Sequence, residues 1–225
     1  MSRKPDDSGT YTSPPCFAHE LAETDDGYEA VDPDAAADTA RWRKFKRQEL
    51  ITARLAISAE DRARIAADVA GELDRLIDPG SGRIISVYWP FRGELDLRSW
   101  MQSVCQRGGR IALPVVVEQA APLIFREWTP GCRMERGVWN IPIPAEDRPV
   151  VPDVVIMPLV GYDPGCFRLG YGGGFFDRTL AAMKKRPLTI GVGLPNAALP
   201  TIYPQPFDIP LDVIVTGKDR VLRRE

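Results

Sequence analysis

The sequence predicts an α/β fold with a mostly parallel sheet, on three observations. Runs of β-branched and apolar residues alternate with helical patterns along most of the chain. One of these runs, DVVIMPLV (residues 153–160), is continuously apolar. A glycine cluster, RLGYGGGFFDR (168–178), lies beyond that strand and passes at once into a helical pattern. In such sheets ligands bind beyond the carboxyl ends of the strands. With 225 residues, 44% of them hydrophobic, the chain is long enough for one well-buried core, and a single domain is expected after a leader.

Residues 1–40 mix Asp, Glu, Ser, Pro and Ala with few large apolar side chains, and predict a flexible leader. From Arg41, RWRKFKRQELITARLAI places Trp42, Phe45, Leu50 and Ile51 near one helical stripe. Ser58 opens SAED, an N-cap signature, for a second helix reaching about Ile77 before the breakers PGSG. RIISVYW (83–89) predicts a buried strand, LDLRSWMQSVCQR (95–107) a helix, and RIALPVVV (110–117) and PLIFREW (122–128) two more strands. A loop-rich stretch with Pro142, Pro144, Pro149 and Pro152 precedes the 153–160 strand. Beyond the glycines, FFDRTLAAMKKR (175–186) is expected as helix, LTIGVGL (188–194) as strand and DVIVT (212–216) as a last short strand.

Composition narrows the chemistry. The four cysteines, Cys16, Cys105, Cys132 and Cys166, have no CxxC spacing, so neither a zinc site nor a disulfide framework is expected. No secretory or membrane-spanning pattern is found, and a cytoplasmic location is the expectation. The net charge of −2 divides unevenly: residues 1–40 hold two basic and ten acidic residues, and the remainder 27 basic and 21 acidic. A mildly cationic domain suits anionic small molecules or is simply a solvated surface; basic residues do not interleave with aromatics as nucleic-acid binding would ask. The single histidine, His19, lies in the leader, so residues 41–225 contain none. If the leader takes no part, Ser-His-Asp chemistry, Cys-His chemistry and histidine metal centres are excluded, and phosphoryl transfer by positioning and charge compensation fits what remains.

Gly170, Gly172, Gly173 and Gly174 expose successive backbone N–H groups at the start of a helix, an anion-binding concavity with the helix dipole behind it. Phosphate is the natural occupant, with Arg168 and Arg178 able to add charge-assisted bonds. Asp177 would meet phosphate best through a bridging Mg²⁺. The pattern is neither GxxxxGK[ST] nor a Rossmann GxGxxG followed by a ribose-binding acid, and a tight turn without ligand is the plain alternative.

The segment MPLVGYDPGCFRLGYGGGFFDRTLA resembles the signature of the 5-formyltetrahydrofolate cyclo-ligase family. Further resemblances follow in the family's order: the basic helix from Arg43 to Arg54 with SAED, ISVYWPFRGELDLRSW, VWNIPIP and FDIPLDVIVTGK, together spanning residues 41–220. The resemblance implies a three-layer α/β/α fold, and ATP- and Mg²⁺-dependent conversion of 5-formyltetrahydrofolate to 5,10-methenyltetrahydrofolate. It implies ATP as co-substrate, a reduced folate as the other partner, and a monomer or small homo-oligomer acting without nucleic acid or membrane.

Carried over by position, Arg168, Leu169, Gly170, Tyr171, Gly172, Gly173, Gly174, Phe175 and Phe176 would hold ATP phosphates, with Arg43 and Arg47 from the first helix. Arg168 and Asp177 would be catalytic, Asp177 and Asp208 would bind Mg²⁺, and Trp89, Glu94 and Trp139 would bind folate. Each has a structural alternative: core packing for the tryptophans, helix entry for Glu94, turn formation for Asp208 and solvation for Arg47. The chain departs from the family pattern at Arg43, where lysine is usual, at Phe175 and Phe176 in place of tyrosines, and in GVGLPNAALPTIYP, which lacks a glutamine. A divergent member with another substrate and a non-catalytic nucleotide- or folate-binding module are the alternatives. A sugar-phosphate isomerase on a similar scaffold would want a base that a domain without histidine does not offer.

Overall fold

The structure, a computed structural model, describes residues 21–24, 27–30, 33–80 and 82–225. It divides into two compact units, Met1–Trp42 and Arg43–Glu225. Within the first, β1 (Leu21–Thr24) and β2 (Gly27–Ala30) form an antiparallel hairpin. The first helix, α1 (Pro33–Leu55), begins at Pro33 rather than Arg41: proline suits a helix's first turn, and the alanines that follow are strong helix formers. The remaining expectation for the leader falls largely on residues 1–20, which lie outside the described residues.

In the second unit, α2 (Ala59–Leu76) starts where SAED predicts. Ser58 Oγ accepts from the Asp61 backbone N at 3.0 Å, and Glu60 and Asp61 sit at the positive end of the helix dipole. A seven-stranded sheet follows, with β3 (Ile84–Ser86), β4 (Arg110–Val115), β5 (Ile124–Trp128), β8 (Val154–Pro158), β11 (Leu188–Val192), β12 (Val213–Val215) and β13 (Val221–Arg223). Its order is β13-β12-β11-β8-β3-β4-β5; the five inner strands run parallel, and β5 and β13 are antiparallel edges. Helices α3 (Arg98–Gln106) and α4 (Phe175–Ala182) make crossover connections.

Strand β8 shows why the sheet must be covered twice. Val154 and Ile156 join a core with Val69 and Leu73 of α2 and Met101 and Val104 of α3, whereas Val155 and Met157 join a second core with Leu180 of α4. The side-chain period of two thus sends alternate apolar residues into opposite layers, giving an α/β/α sandwich. Leu73 is fully buried, and truncation to alanine would cost roughly 3 kcal/mol.

Four elements differ from the pattern in the sequence, the first being β13, which follows the 212–216 run expected as the last strand and pairs with it antiparallel. The proline-rich stretch contains a two-stranded ribbon, β6 (Met134–Arg136) with β7 (Pro142–Pro144). Proline is tolerated there because neither strand needs a partner on its outer edge. A two-residue ladder, β9 (Gly161–Tyr162) with β10 (Arg168–Leu169), separates the long strand from the glycines. The 83–89 run forms only three residues of strand, although Val87 N still donates to Ala112 O at 2.9 Å before Pro90 intervenes. From the central pair β3 and β8 the chain proceeds outward in opposite directions, so the segments leaving their carboxyl ends part at a topological switch point. Those segments are 87–94 and 159–174.

Candidate active site

The glycine loop is set by the hairpin before it. Asp163, buried, accepts from Phe167 N and Ile202 N at 3.1 Å each, closing the β9–β10 turn and presenting Arg168. Leu169 is buried and gives the site only backbone: its carbonyl accepts from Val160 N at 2.9 Å. Gly172 lies at φ +96°, which strains any side chain, and a Cβ there would press on Arg47 Cζ at 3.3 Å. Gly174, at φ 63°, begins α4 without any side-chain cap. The first amides of the helix are therefore left to an outside acceptor.

Arginines surround this loop. Arg47 Nε donates to Gly170 O at 2.7 Å. Arg43 makes a two-pronged bond to Asp208, 2.8 and 3.2 Å, with both side chains about nine-tenths buried. Arg168 Nη2 donates to Asp177 Oδ2 at 2.7 Å, and Arg178 donates to Gly173 O. Burial pushes the Arg168 pKa down, partly opposed by Asp177 and Asp208. Burial also lowers the Arg47 pKa, and the neighbouring charge of Arg43 adds to the effect. Four arginines face two aspartates, a surplus of positive charge that suits a polyanion.

The aspartates have few free lone pairs. Asp177 Oδ1 accepts from Ile209 N at 3.3 Å and Asp208 Oδ2 from Gln205 N at 2.8 Å, in addition to the arginines. Asp208 is thus both a turn former and an ion-pair partner. Among the described residues no group of three or more His, Cys, Asp or Glu stands together to hold a metal. The donor set is oxygen, which Mg²⁺ prefers, but it amounts to two arginine-bound carboxylates. It fits an ion carried in by phosphates and not a resident one.

Across the loop lies a second feature. Glu94 is 8% exposed, and its carboxylate closes the turn after β3 by accepting from Phe91 N at 2.9 Å. It is not a helix-entry residue, since α3 begins at Arg98. Burial raises its pKa to about 7, against the opposing effects of the Phe91 amide, Arg54 and Tyr171. Tyr171 donates to Glu94 Oε1 at 3.0 Å and accepts from Arg54. Glu94 and Arg54 line a narrow cleft whose walls include Leu95, Leu159, Leu194 and Asn196. Gly193 lets Leu159 form that wall, because a Cβ would lie 2.2 Å from Leu159 Cδ1.

The aromatic candidates separate. Trp139 projects from a 3₁₀ turn at φ 56°, ψ 23°, is 57% exposed, and meets Phe175 edge to face with centroids 5.8 Å apart. An exposed aromatic held in left-handed backbone beside the loop is more than core packing. Trp89 instead packs against the principal core with Arg98 over its ring at 5.3 Å, and does not line the cleft. Phe175 and Phe176 lie beneath the guanidinium groups of Arg178 and Arg168, at 5.4 and 5.3 Å. Sequence reasoning passed over Arg54 and Asn196. Arg54 was visible as the residue two helical turns beyond Arg47; Asn196 had no such signal, lying where a glutamine was sought.

Similarity to known proteins extends over most of the chain. The profile of the 5-formyltetrahydrofolate cyclo-ligase family matches residues 39–217. The 5-formyltetrahydrofolate cyclo-ligase of Haemophilus influenzae is 26% identical over 184 residues, 78% of this chain and 97% of the relative. That of Escherichia coli K12 is 33% identical over 139 residues, 59% of this chain and 76% of the relative. The solved structure of Aquifex aeolicus 5,10-methenyltetrahydrofolate synthetase superposes with a TM-score of 0.70 at 28% identity, covering 80% of this chain and 92% of that one. Matched over most of its length by profile, sequence and fold, the chain belongs to the 5-formyltetrahydrofolate cyclo-ligase family.

Proposed function

We propose that the protein converts 5-formyltetrahydrofolate to 5,10-methenyltetrahydrofolate at the expense of ATP. In this reading the formyl oxygen attacks the γ-phosphorus and ADP leaves. N10 then adds to the activated formyl carbon, and phosphate departs with the former formyl oxygen. No covalent enzyme intermediate is needed, which accords with residues 41–225 lacking histidine.

The observation that carries the reading is the juxtaposition of an arginine-rich glycine loop with a cleft holding one buried carboxylate, joined by Tyr171. The loop amides of Gly172–Phe175, with Arg47, Arg168 and Arg178, would bind the triphosphate. Asp177 and Asp208 would hold a nucleotide-bound Mg²⁺, which would neutralise charge on the phosphates, and Arg168 and Arg43 would turn toward phosphate. Glu94 would accept from the N–H groups of the pterin edge, with Asn196 nearby and Trp139 covering the outer side. Residues 41–225 would carry the reaction, and residues 1–40 would be a leader outside it.

The test is direct: purified protein with ATP, Mg²⁺ and 5-formyltetrahydrofolate, followed by near-ultraviolet absorbance of the methenyl product and by ADP release. One ADP per methenyl product is expected. Gly172→Val, which combines a strained φ with a clash at Arg47, should reduce turnover at least 100-fold. Binding of both ligands without product would replace this reading with a binding module.

A further inference from the structure

The loop and the cleft meet at one atom, the Tyr171 hydroxyl oxygen. It accepts from Arg54 of α1 and donates to Glu94 Oε1 at 3.0 Å; its alternative acceptor, Phe91 O, is 3.5 Å away. The ring is held as well, with Phe91 edge-on at 6.0 Å and the Arg54 guanidinium over it at 5.6 Å. The preceding residue, Gly170, is tied to α1 through Arg47. The hydroxyl proton thus has two resting places of unequal quality, and the charge on Glu94 decides between them.

We propose that Tyr171 couples the two substrate sites: a reduced folate seated on Glu94 tightens the glycine loop's hold on nucleotide phosphate, and nucleotide tightens folate by the same factor. The inference rests on the site assignment given under Proposed function. N–H donors from a pterin edge hold Glu94 as the anion, and a hydroxyl bonded to an anionic acceptor is held about twice as firmly as one bonded to a neutral group. When Glu94 Oε1 carries a proton, that oxygen becomes a donor, and the hydroxyl proton is left with the longer contact to Phe91 O. The loop is then held less firmly, by Arg54 and Arg47 without the charge-assisted bond, and phosphate binding must complete its ordering.

The surroundings of Glu94 leave room for such a change. With a pKa of about 7, its carboxyl is divided between both forms at neutral pH. The groups facing it are Arg54 from α1, Tyr171 from the loop, the Phe91 amide from its own turn, and Tyr88. Tyr88 is committed elsewhere, donating to Leu95 O at 2.9 Å, so it offers Glu94 no alternative bond. Reciprocity follows from linkage and does not depend on which ligand arrives first.

The experiment is a binding cycle by titration calorimetry at pH 7. It uses the β,γ-methylene analogue of ATP with Mg²⁺, without and with saturating 5-formyltetrahydrofolate. In the wild type the analogue should bind about tenfold tighter when folate is present, a typical coupling factor. In Tyr171→Phe, which keeps the ring and removes the hydroxyl, that factor should fall below about twofold, measured against the affinity each ligand keeps alone. Arg54→Met, removing the other partner of the hydroxyl, should lower the factor at least threefold and covers failure of the first variant to fold. A merely structural role for Tyr171 would weaken both ligands and leave the factor intact. Synergy persisting in both variants, or absent from a wild type that binds both ligands, overturns the coupling. A wild type that binds neither ligand overturns the site assignment and the coupling with it.

Discussion

At the glycine loop two partly buried aspartates each meet a guanidinium, Asp177 with Arg168 and Asp208 with Arg43, whereas Glu94, across Tyr171, has no direct ion-pair partner within hydrogen-bonding distance among the described residues. The first region keeps its charges by pairing them. The second leaves a carboxylate whose cheapest state in the empty cleft is often the neutral acid. Under the proposed function, the difference would prepare one site for two unlike ligands. A polyanion needs fixed cations, and paired arginines remain charged while they wait; a pterin edge offers N–H donors and can itself favour the anion it requires.

The sharpest way to break this comparison is to unpair the loop. Asp177→Ala strands Arg168, 8% exposed, and should lower unfolding free energy by about 3–5 kcal/mol in a urea titration, with turnover abolished. Replacing both partners, Arg168→Met with Asp177→Leu, should restore most of the stability and none of the turnover. A single variant losing under about 1 kcal/mol would mean the pair is not desolvated.

The cleft predicts a dependence on pH of opposite character. The folded-state pKa of Glu94 is raised from 4.5 to about 7, so between those values the folded protein binds more protons than the unfolded chain. Its contribution to stability therefore falls as pH rises through that window and levels off above it. Relative to wild type, Glu94→Gln should gain up to about 3 kcal/mol between pH 4.5 and pH 8, read as the change in the stability difference at each pH. A constant difference would show that the carboxyl is not perturbed. At pH 7 the same variant should weaken 5-formyltetrahydrofolate binding 10-fold or more.

The smallest effect is expected at the rim. Trp139→Ala removes the edge-to-face contact with Phe175 and should cost no more than about 1 kcal/mol of stability. KM should rise several-fold with kcat little changed, because under the proposed function the exposed ring would contribute uniform binding and not transition-state charge. A fall in kcat instead would place Trp139 nearer the reacting atoms than its exposure indicates.

Much of this was legible locally. Ser58 and SAED mark the start of α2 because capping is a contact over three residues, and RLGYGGGFFDR marks a glycine turn entering a helix because φ preference and helix start signals are properties of adjacent residues. The β6–β7 ribbon was not legible, because prolines that break a central strand are harmless on a two-stranded edge. Arg54 was passed over for a different reason. Its significance lies in Tyr171, 117 residues away, and a helical stripe reports which face a residue occupies but not what will cover it.

The amino-acid order by itself determined the alternation of strands and helices, the glycine loop, and the absence of histidine from residues 41–225. These depend on residue type and on neighbours a few positions apart. Only the tertiary structure decided that Asp208 would meet Arg43 across 165 residues, that Trp89 would pack inward while Trp139 faced out, and that Glu94 would lose its water. Desolvation and ion pairing are set by what packs together in space, and burial is what turns an ordinary carboxylate into one poised near neutrality.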